Sequence, residues 1–491
     1  MKNKRTKYYN WVLAGVLALC CGCNDWLDVK PRTELQSDII YANEKGFQNV
    51  MNGIYVQMAA KDLYGFNTSA YFTDLLAGLW YSNLLSSKEK SIAQYDFTNS
   101  EVEGVIETIW SKYYTAIAHV NTLLEHLKET DVNFSYGNKE LLMGEAYGLR
   151  AFLHLEVLRL FGPVPKEASD ADIAIPYVTE FTKDPTKLIS LTYGEVKKHI
   201  VEDLDEAEKY LQKDPFTLGT MSDLNNPNSV LSEYKPSDDW QYYRQTHFNV
   251  YAVDATRARF YQWIGESEQA SLYARKVLDV KNPDGETAKF VLATEKNTYT
   301  ASVPNLVMQC EHIFALSCSN HQTQIEGCFK SPVGGKPAIL KQSPSYLNSI
   351  YEREVDDSRN KGGRYFEVDG QNAYCLKYLG SGIIKPLNMI PLIRLSEMYL
   401  ILIENSPYAE AKEYFETYRI AKGMSSAIAL KDDSDKSSRT EKEYRKEFFA
   451  EGQMFYYYKR KNITSWTIPS RVTVPANGFV VPKPSGQTVF E

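Results

Sequence analysis

The stretch Ile109-Trp110-Ser111-Lys112-Tyr113-Tyr114-Thr115-Ala116-Ile117-Ala118-His119-Val120-Asn121 decides the fold class. Its apolar side chains return every three or four residues, so Ile109, Trp110, Tyr113, Ile117 and Val120 share one face of a helix. Val105 extends that stripe upstream, and Leu124 and Leu127 extend it downstream. One helix therefore fits Glu101 to Lys128. The next stripe, Leu142, Ala146, Leu149, Leu153, Val157 and Leu160, predicts a second helix over Lys139 to Leu160. It should stop at Phe161-Gly162-Pro163, where Gly takes a left-handed cap and Pro blocks continuation. The polar connector Thr130 to Asn138 makes the two an antiparallel hairpin.

The same period recurs on both sides. Phe47, Val50, Met51, Ile54, Tyr55 and Met58 form a helix started by Asn43 or Glu44. Ser190 to Leu211 opens with a capping box, Thr192 with Glu195. Asn249 to Ile264 and Ser267 to Val280 turn at Gly265 and have the texture of a tetratricopeptide-like hairpin, though no strict 34-residue repeat runs through the chain. Further helices are expected at Ile393 to Glu404, Tyr408 to Lys422 and Glu441 to Lys461, with a polar, mobile link over Lys431 to Lys442. Lys213 to Gln245 reads as a long excursion, Leu79 to Ser87 as a loop, and the last thirty residues as an extended tail. From Asn282 to Lys385 the helical period lapses into short β-like runs such as Ile313-Phe314-Ala315-Leu316. The expected fold is mainly α, with little β. Its parts are a helical region over 41–281, an irregular insertion over 282–385, and a helical region with a tail over 386–491.

The N-terminus reads as an export address. Lys2, Lys4, Arg5 and Lys7 precede an apolar run, Trp11 to Leu19, far shorter than the roughly 20 residues that span a bilayer. Cys23 follows, between Gly22 and the polar Asn24-Asp25. This is the acceptor pattern of a bacterial lipoprotein: residues 1–22 are the signal, Cys23 takes the lipid, and 23–40 form a tether. Cys20 stands where Leu is usual, and the alternative is an ordinary secretory signal. A lipid would hold the protein at the membrane surface without spanning it. Cleavage before Cys23 leaves 469 of 491 residues. Removing four basic side chains takes the formal charge from -7 to near -11. An acidic chain without a basic patch excludes nucleic acid as a partner.

No catalytic constellation stands out. HExxH, GxSxG and GxGxxG are absent, and Gly334-Gly335-Lys336 lacks the spacing and the hydroxyl of a phosphate loop. His312 and His321 lie near Cys310 and Cys318 without ligand spacing, and Asp432-Asp433-Ser434-Asp435 lacks the Gly and Glu of a calcium loop. Cys310, Cys318, Cys328 and Cys375 are free thiols or allow one disulfide. No metal, cofactor or catalytic residue is assigned, and the chain is read as a binding protein rather than an enzyme. Aromatic residues make up 13% of it. Trp80 and Tyr81, with Asn83 beside them, offer flat apolar faces and an amide to a sugar. Tyr299, in a polar run, is a further candidate. The bland reading is that Trp80 fills the core.

Several segments together resemble the SusD/RagB family of Bacteroidetes outer-membrane lipoproteins. Cys23 followed by Trp26-Leu27-Asp28 and Pro31 is similar to its entry pattern. Trp110, Tyr113, Ile117 and Asn121 match one helix, and Glu145-Ala146-Tyr147-Gly148-Leu149-Arg150-Ala151-Phe152 through Pro165 the next. Arg394, Glu397, Tyr399 and Leu400 resemble a later helix; Arg445-Lys446-Glu447-Phe448 with Glu451-Gly452 resembles the C-terminal signature. The aromatic residue usual after Glu451-Gly452-x is met here only at Phe455, and the tail is shorter. The resemblance implies a fold of four tetratricopeptide-like hairpins with an irregular ligand-binding part. It implies a non-catalytic, cell-surface, lipid-anchored protein of the outer membrane. Such a protein captures glycans for a SusC-like TonB-dependent transporter; the alternative is a peptide ligand serving a peptide transporter. The family's ligand residues vary, so Trp80, Tyr81, Asn83 and Tyr299 rest on position and chemistry.

Overall fold

The computed structural model describes residues 39–488, apart from 183, 303, 331–337, 362–363, 383 and 425–428. Cys23, the signal, Trp26-Leu27-Asp28 and Gly334-Gly335-Lys336 lie outside the described residues.

The chain is mainly helical. α1 (Glu44–Met58) is capped by Asn43, whose side chain accepts from the Gly46 N–H. A π-turn leads into α2 (Phe72–Leu76), followed by α3 (Ser87–Ala93), α4 (Ser100–Glu129), α5 (Asn138–Phe161), α6 (Tyr193–Tyr210) and α7 (Met221–Asn225). α8 (Val250–Ile264) and α9 (Ser267–Leu278) form the next hairpin. An irregular stretch carries β1 (His312–Ser317), α10 (His321–Phe329), α11 (Pro344–Ile350) and the hairpin β2 (Phe366–Asp369)/β3 (Asn372–Cys375). Then come β4 (Met389–Arg394), α12 (Leu395–Asn405), α13 (Tyr408–Ala421), α14 (Asp433–Glu447), α15 (Gln453–Lys461) and a short hairpin of β5 (Ser465–Trp466) and β6 (Val472–Thr473). The long helices pack as four hairpins in series: α1 on α4, α5 on α6, α8 on α9, α12 on α13, with α4 meeting α5 and α9 meeting α12.

The periodicity explains which faces meet. The α4 stripe from Ile109 to Leu127 is buried, while Val105 is half-buried. Each large apolar side chain removed from water contributes about 1.5–3 kcal/mol, which is what holds such a helix in place. α5 lies at the centre and is buried on all faces beyond its first turn. The capping box forms at α6, where the Glu195 N–H donates to Thr192 Oγ1 and the Thr192 N–H to Glu195.

Four expectations change. α5 does end at Phe161, but Gly162 is extended (φ -75°) rather than left-handed. Glycine is needed there for space, because a Cβ would stand 2.5 Å from the Leu158 carbonyl oxygen. Ile393 and Arg394 end a strand, not begin a helix: Met389 to Arg394 is buried on both faces and pairs antiparallel with β1, so its apolar run is that of a two-sided strand. Glu441 to Lys461 is two helices. The break at 448–452 includes Ala450 (φ +62°) and Gly452 (φ +74°), and a Cβ on Gly452 would meet the Thr68 carbonyl oxygen at 2.3 Å. The Asp74 carboxylate accepts the backbone N–H groups of Ala450 (2.8 Å) and Gly452 (3.1 Å), so the break costs no orphaned donors there. Finally, most of Lys431 to Lys442 is helical. Asp432 caps α14 by accepting from the Asp435 N–H at 2.8 Å, which gives the acidic run a structural use.

The four cysteines beyond residue 300 are free thiols. The tail folds back on the body: Trp466 stacks on Tyr458 at 3.8 Å and its indole N–H donates to the Ala77 carbonyl. Beneath α12 to α15 lies a buried ionic network. Arg394 binds Glu447 (2.6 Å), Glu311 (2.8 Å) and Glu451 (2.8 and 2.9 Å). Lys422 reaches Glu311 and Glu447, and Arg359 binds Asp357, Glu443 and Glu447. Arg394, Glu447 and Glu451 thus fasten the β1–β4 sheet to the junction of α14 and α15.

Candidate functional site

Trp80 and Tyr81 are neighbours in sequence with opposite fates. Trp80 is 1% exposed, donates its indole N–H to the Ala70 carbonyl (2.8 Å), and packs on Phe449 (4.8 Å) and Phe329 (5.8 Å). Its ring is not open to a ligand, so Trp80 does not take the stacking role expected of it. The reason is local: the chain leaves α2 through Gly78 (φ +66°), and the residues after it are drawn across the core before the loop surfaces.

Tyr81 emerges from that anchor half-buried. Its backbone N–H donates to the Lys341 carbonyl (3.2 Å), and its ring meets Tyr346 of α11 at 4.5 Å, tilted by 53°. The exposed Asn83 side chain donates to the Tyr81 hydroxyl at 3.0 Å. The support below is rigid. Gln342 is buried, its side-chain amide donates to the Leu79 carbonyl, and its backbone exchanges two hydrogen bonds with Ala373 of β3 (2.9 and 2.7 Å). Pro344 opens α11, which fixes the turn that presents Tyr346. Tyr81, Asn83 and Tyr346 form an aromatic ledge with an amide at its rim. Such a surface can stack on the C–H face of a sugar and hydrogen-bond its hydroxyls.

Tyr299 lies apart. The Arg364 guanidinium sits 4.1 Å over its ring, and Arg364 in turn pairs with Glu295 at 2.6 Å. That arrangement occupies one face of Tyr299 with the protein's own cation. Among the described residues no hydrogen bond or ring contact joins Tyr299 to Tyr81, Asn83 or Tyr346. The residue that sequence reasoning missed is Tyr346. The signal was available in Ser343-Pro344-Ser345-Tyr346, a polar turn delivering an aromatic side chain, but the 264 residues between Tyr346 and Tyr81 hide the pairing.

The remaining candidates are structural. His312 Nε2 bonds the Val307 carbonyl (2.7 Å) and His321 Nε2 the Gly65 carbonyl (2.9 Å), both buried. Burial lowers the His312 pKa to about 4 and raises the Cys310 thiol to about 12 and Cys375 to about 11, so these groups stay neutral near pH 7. Among the described residues no group of three His, Cys, Asp or Glu side chains is arranged to hold a metal ion. Among them, too, no helix is long and apolar enough to cross a membrane.

Residues 25–222 match a SusD-like family described as starch-binding and associating with the outer membrane. SusD-like protein P2 of Formosa agariphila is 23% identical over 241 residues, which cover 48% of this chain and 44% of that protein. The chain thus matches less than half the length of that relative. Solved structures extend the likeness over the whole fold. A SusD superfamily protein of Bacteroides thetaiotaomicron superposes with a TM-score of 0.69 at 19% identity, over 91% of this chain and 98% of the other. A protein of Bacteroides vulgatus described as a putative sugar binding protein gives 0.68 at 18% identity, over 91% and 97%. A laminarin binding SusD-like protein gives 0.60 at 15% identity, over 91% and 98%. At such identities the structures speak for the fold alone, and the sequence match speaks for residues 25–222, which resemble the SusD-like family.

Proposed function

We propose that the protein is a non-catalytic glycan-binding protein that captures oligosaccharides on the ledge formed by Tyr81, Tyr346 and Asn83. The observation that carries this reading is the ledge itself: two rings 4.5 Å apart beside an exposed carboxamide, on a rigid support. Two features lend it weight. The family match over residues 25–222 is to starch-binding proteins, and a protein of the same fold binds laminarin. Affinity electrophoresis against starch, laminarin and a panel of other polysaccharides tests it. The expected result is retardation of the wild type by at least one neutral glucan and its loss in Tyr81→Ala/Tyr346→Ala. Unchanged retardation in that variant removes the ledge as the site, and no retardation by any polysaccharide removes the glycan reading.

The same proposal places the protein on the cell surface, held in the outer membrane by lipid on Cys23 and handing its ligand to a SusC-like TonB-dependent transporter. Cys23→Ser should move the protein from the membrane fraction to the soluble one. Copurification of a transporter from solubilised outer membranes, lost without that anchor or retained through the body alone, would show which part of the chain holds the partner.

A further inference from the structure

We infer that the protein carries a second saccharide site, a cleft that selects uncharged sugars. It is a cavity of about 430 Å³ between α7 and the segments that precede β1, within the ~300–1,000 Å³ of small-ligand sites. This inference rests on the reading of the chain as a glycan binder. Six carboxamides line the cleft: Asn225, Asn226, Gln245, Asn297, Asn305 and Gln309. Among the described residues no charged side chain does. Charged residues make up 24% of the chain, so roughly three of the twelve lining positions would carry a charge at the average rate. The cleft shares no lining residue with the ledge at Tyr81, Asn83 and Tyr346.

The amides are preorganised rather than merely gathered. Gln245 is 1% exposed; it accepts from Asn225 Nδ2 (2.8 Å) and donates to the carbonyls of Gln309 (3.1 Å) and His312 (2.8 Å). Asn297 accepts from the Thr294 N–H (2.6 Å) and donates to the Leu292 carbonyl (2.9 Å). Asn226 donates to the Ser222 carbonyl at 2.8 Å. Asn305, 4% exposed, accepts the Gln309 N–H at 3.1 Å. These bonds fix the groups and leave others unused. Among the described residues, Asn305 Nδ2, the Gln309 side-chain amide and the Oδ1 atoms of Asn225 and Asn226 have no protein partner. Free donors and free acceptors thus converge on one space. A hydroxyl group both donates and accepts, so a polyol matches this set. A uronate, sulfate or phosphate would lose hydration with no cation to replace it. A peptide would find neither charged partners for its ends nor a deep apolar pocket for its side chains.

Hydrogen exchange of the wild-type protein with saturating maltoheptaose, laminarihexaose, an oligogalacturonate and a neutral Ala/Gly/Ser hexapeptide tests this. Protection by a neutral glucan at 221–226 and 297–310, in addition to 81–83 and 343–346, is expected. Gln309→Ala, which removes an unpaired side chain and leaves the fold's bonds intact, should weaken cleft protection about tenfold in midpoint concentration and leave the ledge midpoint unchanged. Asn305→Asp, nearly isosteric, should abolish the cleft response. Tyr81→Ala/Tyr346→Ala should do the reverse. Protection at the ledge alone overturns the second site and keeps the glycan reading. Protection of the cleft by the hexapeptide or by the oligogalacturonate as strongly as by a glucan overturns its selectivity. No protection anywhere by either glucan overturns both.

Discussion

Around Arg394 the chain buries a mesh of Arg, Lys, Asp and Glu side chains almost wholly out of water, whereas the ledge at Tyr81 and Tyr346, half-buried, is built from rings, a carboxamide and backbone. The difference is one of task. A buried ion pair adds little net stability over apolar packing, yet it is costly to misassemble, because a stray charge is then left in the interior. Arg394, Glu447, Glu451, Glu311 and Lys422 come from β4, α14, the 448–452 break, the start of β1 and the end of α13. They therefore fix how the irregular part docks on the helices. A ledge that binds a glycan, as proposed, has the opposite need. It must present the same geometry to water and to a neutral sugar, and fixed charges there would favour ions and hydration.

The largest effect should follow from breaking the mesh. Glu447→Ala leaves Arg394, Arg359 and Lys422 short of a buried counter-charge and the Tyr418 hydroxyl without its acceptor at 2.6 Å. A loss of about 3–5 kcal/mol is expected in urea unfolding. A change within about 1 kcal/mol would mean that the mesh adapts and specifies nothing. Trp80→Ala should cost nearly as much, about 3–5 kcal/mol, through the cavity between Phe329 and Phe449. That variant sharpens the comparison, because Trp80 adjoins the ledge in sequence but belongs with the interior.

Acid should probe the same interior more gently. Burial alone would raise the Glu404 pKa, but Arg460 at 2.7 Å and Lys461 at 2.9 Å outweigh it and lower the value from 4.5 to about 2. A carboxylate with a depressed folded pKa gives stability that is complete above its unfolded pKa and is lost as pH falls through the folded one. Stability should therefore be level above about pH 5 and decline from pH 4.5 toward pH 2, with roughly 3 kcal/mol from this group. In Glu404→Gln that part of the decline should vanish from unfolding curves measured between pH 5 and pH 2. An unchanged acid limb would place the titration elsewhere.

What the sequence makes legible follows from the range of the interactions. α4, α6 and the α8/α9 hairpin can be read because their burial repeats every few residues and their caps, such as Thr192 with Glu195, are local. Ile393 and Arg394, the end of β4, are misread as the start of a helix because a short run buried on both faces has no period, and only β1, more than 70 residues earlier, makes it a strand. The break between α14 and α15 is hidden for the same reason, since the acceptor for its N–H groups is Asp74. The site divides likewise. Tyr81 and Asn83 are recognisable as loop residues, but the burial of Trp80 depends on Phe329 and Phe449, and the capture of Tyr299 on Arg364.

The smallest structural effect should come from Tyr81, and it decides what the ledge is for. Among the described residues the ring has one aromatic neighbour and its hydroxyl one bond, from an exposed amide. Tyr81→Ala should therefore cost about 1 kcal/mol of stability, the scale of a single aromatic pair. If stacking on a sugar is its work, the same substitution should weaken binding of a neutral glucan about tenfold, or about 1.4 kcal/mol. Tyr81→Phe should retain most of that affinity, since it keeps the ring and loses only the bond from Asn83. Calorimetric titration beside urea unfolding separates the outcomes. A large unfolding shift with unchanged affinity would class Tyr81 with Trp80. A small shift with lost affinity would place the boundary between interior and ligand surface at the peptide bond that joins them.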